Sequence, residues 1–151
     1  MTEPLIPELG ALPWKPKRGT SLVHELNHWD IPTSGVLRSR WTRQHHLFRC
    51  LDGATTQYSV WAYMALSRKE ARELMSLEGD ALRQYQDRLM LSRTLAIAVA
   101  EEDAGIIHRA RGRLAQSEPE PRLEPAVSRR VQREIQEEAS ALRDMPVFAA
   151  G

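Results

Sequence analysis

Within "SLVHELNHWD" (Ser21–Asp30), two histidines stand four residues apart with a glutamate between them: His24, Glu25 and His28. On a helix this spacing turns both imidazoles to one face, where they reach a single tetrahedral Zn²⁺. The glutamate then stands beside the metal-bound water and takes its proton. His24 and His28 are therefore candidate metal ligands, and Glu25 a candidate general base. A second group of residues suits different chemistry. Between Val36 and Arg49 the chain carries Arg38, Arg40, Arg43 and Arg49 without one acid, interleaved with Trp41, His45, His46 and Phe48. Guanidiniums on phosphates and aromatic rings against bases are what a β-surface needs to hold a single strand.

On the pentapeptide H-E-x-x-H alone, His24–His28 resembles the zincin metallopeptidases, and the resemblance implies zinc as cofactor and peptide hydrolysis as activity. The flanking residues point elsewhere. Trp29-Asp30-Ile31-Pro32 follows at once, and a proline disfavours helical geometry at the residue before it. Pro4, Pro7, Pro13 and Pro16 crowd the short stretch before His24, leaving little chain for the sheet that lies beside a zincin active-site helix. Read with a period of two, Leu22, His24, Leu26 and His28 alternate against Val23, Glu25, Asn27 and Trp29 as a strand would. The leading expectation is thus a non-enzymatic interaction or regulatory module, with a small zinc-dependent hydrolase as the alternative. For the arginines, strand alternation puts Arg38 and Arg40 on one face and Trp41 on the other. Basic and stacking groups then do not share a surface, so a nucleic-acid-binding regulator is only a third reading and nucleic acid a disfavoured partner.

Composition sets the frame. At 151 residues, 42% hydrophobic and 27% charged, the chain suits one domain, or a small domain with a helical arm. A net charge of +1 gives no whole-molecule attraction to nucleic acid or an acidic membrane. Cys50 is the single cysteine, so no intrachain disulfide forms, as suits a reducing cytoplasm. "MTEPLIPELG" lacks the basic and apolar regions of a signal peptide. "LMLSRTLAIAVA" is too short to span a bilayer. Arginine far outnumbers lysine and alanine is abundant, which is associated with GC-rich bacterial genomes; a bacterial cytoplasmic protein with no membrane partner is expected.

The elements that would position these groups follow from periodicity and turn chemistry. Residues 1–19 read as an extended, proline-punctuated segment. Ser21–Trp29 reads as a strand and "DIPTSG" as a turn. Gly35–Trp41 and His45–Leu51 make a hairpin around "TRQ", and "DGAT" is a further turn. "TQYSVWAYMAL", rich in β-branched and aromatic residues, is a strand. "SRKE" is a capping box in which Ser67 and Glu70 exchange hydrogen bonds, opening a helix that ends near Gly79. A longer helix is expected from Asp80, with Leu82, Tyr85, Leu89, Ala96 and Val99 on one stripe and Leu91, Leu95 and Ala98 on another. Gly105 would kink it. The expected fold class is α+β: a small antiparallel three- to four-stranded sheet followed by two or three helices, then a Pro-rich linker and an amphipathic C-terminal helix. The expected boundaries are an extended segment 1–19, a globular domain 20–115, a linker 116–125 and a helical arm 126–145. Val127, Val131, Ile135, Leu142 and Met145 form an apolar stripe on that arm, which predicts an interface with a second copy (a homodimer) or with another protein.

Overall fold

A computed structural model describes residues 9–12, 15–16, 19–29, 31–52, 58–101, 105–117, 121–124, 129, 131–133 and 136–137. A short hairpin of β1 (Leu9–Leu12) and β2 (Lys15–Pro16) comes first. The chain then runs through β3 (Thr20–Trp29), β4 (Ile31–Ser39), β5 (His45–Asp52) and β6 (Tyr58–Leu66). Two helices follow, α1 (Arg68–Ser76) and α2 (Gly79–Leu91), before β7 (Leu95–Glu101) and β8 (Gly105–Gly112). The last paired segments are β9 (Leu114–Ala115) and β10 (Arg122–Leu123). Strands β3 to β8 form one six-stranded antiparallel sheet in chain order, with both helices inserted between β6 and β7.

Strand alternation divides the apolar side chains between two faces. Val36, Leu47, Val60, Ala62, Met64, Leu95, Ile97 and Val99 point to the helices and pack with Ala71, Leu74, Leu82, Leu89 and Met90. Leu37, Phe48, Trp61, Tyr63, Ala96, Ala98 and Ala100 point the other way and are just as completely buried. The alanines of β7 make room there: Trp61 is registered beside Ala98 and Tyr63 beside Ala96. Gly35 serves the same end. A Cβ on it would lie 2.9 Å from the Phe48 ring and 2.9 Å from the His24 carbonyl, so only glycine lets β3 and the Phe48 ring approach this closely. The β1–β2 hairpin lies against both edges of the sheet, β1 beside β8 and β2 beside β3, covering strand edges that would otherwise offer unpaired backbone groups.

The fold corrects the expected architecture. The sheet has six strands rather than three or four, and the helices interrupt it rather than follow it. The expected long helix stops at Leu91, and its second half is the strand β7. An apolar run buried on both faces carries no period of its own: Leu95, Ile97 and Val99 face one way and Ala96, Ala98 and Ala100 the other, yet the same residues also satisfy helical spacing. Alanine favours helix locally, but pairing with β6 on one side and β8 on the other overrides that preference. "GIIHRARG", read as a kinked helix, is β8. The expected turn "DIPTSG" is strand over most of its length: Ile31–Gly35 belong to β4, and β3 and β4 pair antiparallel from Trp29 and Ile31 onward.

Local signals held elsewhere. Ser67 caps α1, its hydroxyl accepting from the Glu70 amide at 3.1 Å while the Glu70 carboxylate accepts from the Ser67 amide at 2.9 Å. The "DGAT" turn from Gly53 onward lies outside the described residues. Between 116 and 125 the chain doubles back: Arg122 and Leu123 pair with Ala115 and Leu114. Arg129, Val131–Arg133, Gln136 and Glu137 are helical. Val131 is 1% exposed and joins the helix-side cluster with Leu114. Val127, Ile135, Leu142 and Met145 lie outside the described residues. Among the described residues, no helix is long and apolar enough to cross a membrane.

Candidate anion-binding groove

His24, Glu25 and His28 lie on the edge strand β3, where residues four apart are separated by roughly 13 Å along the chain. Two ligands of one zinc ion, each about 2.0–2.1 Å from the metal, cannot bridge that separation. A bulge between Glu25 and Asn27 further sorts the side chains. His24 is registered against Val36, which faces the helices, and Glu25 against Gly35 on the opposite face. His28 is registered against Pro32, and its Nδ1 donates to Glu25 Oε1 at 2.6 Å. It is engaged with Glu25 rather than gathered with His24 around a common point. Among the described residues, no three of His, Cys, Asp or Glu are gathered as a metal would require.

The arginines behave differently. A groove of about 490 Å³ opens at the end of the β3–β4 pair, lined by Gly19, Thr20, Ser21, Val23, Arg38, Arg40 and Arg43. The turn after β4 builds it. The Arg43 amide donates to the Ser39 carbonyl at 2.8 Å and the Ser39 amide to the Gln44 carbonyl at 2.9 Å. Gln44 Nε2 ties the turn to the end of β6 by donating to the carbonyls of His45 and Leu66. Across the groove the Arg40 amide donates to the Gly19 carbonyl at 2.6 Å, joining the turn to the start of β3. Gly19 has a φ of +98°, and a Cβ there would stand 2.9 Å from Trp41 Nε1. Its lack of a side chain lets the indole lie on the backbone. Arg40 lies over the same indole, 5.6 Å from the ring centroid, within cation–π range.

Chain comparisons supply no analogue. No family model, curated protein or solved structure matches this chain. The groove is therefore read from its own chemistry.

None of Arg38, Arg40 and Arg43 is paired with a carboxylate among the described residues. All three are exposed, so each keeps its donors for a ligand. The field they create reaches a neighbour: His45 is held below its ordinary pKa, first by partial burial and then by the charges of Arg38 and Arg68. Arg43 also has a φ of 60°, a left-handed conformation that disfavours a side chain of this kind. Backbone conflicts of this sort gather at functional sites.

Arg49, grouped with these three by sequence, is elsewhere. It faces the helices and pairs with Asp87 of α2. Trp41, expected opposite the arginines, lies against Gly19 of the groove's lining with Arg40 over its ring, and is 81% exposed. The reason is that β4 ends at Ser39, so strand alternation no longer governs the turn. Sequence reasoning missed Gly19 and its neighbours Thr20, Ser21 and Val23 of β3, because they lie far from the arginines along the chain. It also missed Arg68, which reaches His45 from the first residue of α1.

Proposed function

We propose that this protein is a non-enzymatic binding module that recognises a phosphate-bearing ligand in the groove of Arg38, Arg40 and Arg43. The observation carrying the reading is that three guanidiniums, without carboxylate partners among the described residues, line one concavity. Gathering like charges is unfavourable in the empty protein and becomes favourable when an anion neutralises them. Guanidinium forks match phosphate oxygens in pairs, giving orientation as well as charge. The hydroxyls of Thr20 and Ser21 add donors on the β3 side. Enzymatic hydrolysis through His24, Glu25 and His28 has weaker support, since on a strand the two histidines stand too far apart to share one ion. Association through the last helix also has a competing use for its apolar stripe, because Val131 is consumed by the chain's own core.

The test uses inorganic pyrophosphate at low ionic strength, followed by NMR on the arginine side-chain and His45 signals. Saturable binding should move the signals of the groove arginines and raise the pKa of His45. It should be lost in a combined Arg38→Gln, Arg40→Gln, Arg43→Asn variant and kept in Arg49→Gln. No saturable binding, or equal binding by the combined variant, refutes the proposal.

A further inference from the structure

We infer that the phosphate-bearing ligand is single-stranded nucleic acid, with its backbone along Arg38, Arg40 and Arg43 and a base stacked on Trp41; this rests on the anion-binding reading above. Trp41 carries the step from phosphate to nucleotide. It lies against Gly19, a residue of the groove's lining, and is 81% exposed, which is unusual for the largest apolar side chain. It is nonetheless seated: its indole meets the bare backbone of Gly19, and Arg40 lies over the ring. An exposed aromatic held in place offers a π-face at little entropic cost to whatever stacks on it. Every nucleobase has such a face, and an arginine beside the ring can extend the stack.

Spacing supports a polymer over an isolated phosphate. Arg38 lies at the end of β4 and Arg40 just past it, and both line the groove, so their guanidiniums can meet successive phosphates of one strand. Arg43, on the far side of the turn, continues the basic track. Base selectivity is expected to be weak, because Thr20 and Ser21 supply only hydroxyls, which donate and accept alike. A duplex keeps its bases stacked on one another and leaves Trp41 unused. A bilayer favours a broader patch, about four to eight basic residues on a surface that can lie flat, whereas this groove is concave with three.

The experiment measures anisotropy of a labelled oligo-dT of about eight nucleotides with the full-length protein. A duplex of the same length, an abasic strand, pyrophosphate and phosphatidylserine vesicles are run in parallel. Oligo-dT should bind more tightly than pyrophosphate or the abasic strand. Its log affinity should fall with log salt with a slope of about 2, for three phosphate contacts at about 0.7 each. Trp41→Ala should weaken oligo-dT about tenfold, within the range measured for base–aromatic stacking, and leave the abasic strand unchanged. Trp41→Phe should restore most of the loss. Unfolding curves of the variants show whether the fold is kept, as the exposure of Trp41 leads one to expect. If pyrophosphate binds but oligo-dT binds no better and ignores Trp41→Ala, the nucleic-acid inference fails while the anion-binding reading stands. Tighter binding to duplex or to vesicles than to oligo-dT also overturns it. If neither pyrophosphate nor oligo-dT binds, both readings fall together.

Discussion

Replacing Arg43 with glycine is expected to strengthen the fold and weaken the groove at once. Arg43 has a φ of 60°, where the Cβ of an L-residue crowds the following carbonyl at a cost of about 1–2 kcal/mol. Glycine removes the clash but has more freedom to lose on folding, worth about 0.5–1 kcal/mol. The exposed Arg43 side chain has no ion pair among the described residues that would offset the difference. Its amide bond to the Ser39 carbonyl survives the change. The net gain is then about 0.5–1 kcal/mol, or roughly 1–4 °C in Tm for a chain of this size. Urea and thermal unfolding, followed by circular dichroism, measure it. Pyrophosphate affinity should fall several-fold in the same variant, and the salt slope for oligo-dT should drop by about 0.7. Destabilisation by more than about 1 kcal/mol would mean that the arginine side chain holds the turn, refuting the strain argument. Stabilisation with undiminished binding would remove Arg43 from the anion site.

Ser67→Ala should cost about 1 kcal/mol by removing the cap of α1, read as a lower urea midpoint with an unchanged slope. Burial pushes the Glu70 carboxyl up, but hydrogen bonds from Ser67 and Arg93 and the Arg93 charge outweigh it, so its pKa is lowered on balance. The stability contributed by ionised Glu70 is thus fully present above its ordinary value of 4.5 and is lost as pH falls through the lower folded value. Glu70→Gln should flatten the stability–pH curve in that acidic window. Arg49→Gln should cost about 2 kcal/mol, less than a fully buried pair because both partners retain some exposure, and should leave pyrophosphate binding unchanged. Tyr63 is 1% exposed and its hydroxyl has no partner among the described residues; Tyr63→Phe should therefore stay within about 0.5 kcal/mol of the parent. Trp61→Ala, on the same face, should cost about 3–5 kcal/mol.

Sequence by itself determined what neighbouring residues decide among themselves. The alternation across Leu22–His28 specified a strand, and with it the separation of His24 from His28. The β-branched and aromatic run at Tyr58–Leu66 specified β6, and Ser67 with Glu70 specified the start of α1, since a capping box closes within four residues. The hairpin of β4 and β5 was legible for the same reason, although its first strand begins earlier than Gly35. Only the tertiary structure decided β7, where Leu95–Ala100 is apolar on every side and takes its conformation from the strands that flank it. It also decided the groove. A run of arginines shows that charges are present, not where they point. Arg49 lies within a strand and is drawn to Asp87 on a helix that the sequence brings close only through folding. Arg38, Arg40 and Arg43 surround the point where β4 stops, and there the turn, the bare backbone of Gly19 and the edge of β3 set their directions. Those are contacts between distant segments, so their geometry is absent from any local pattern.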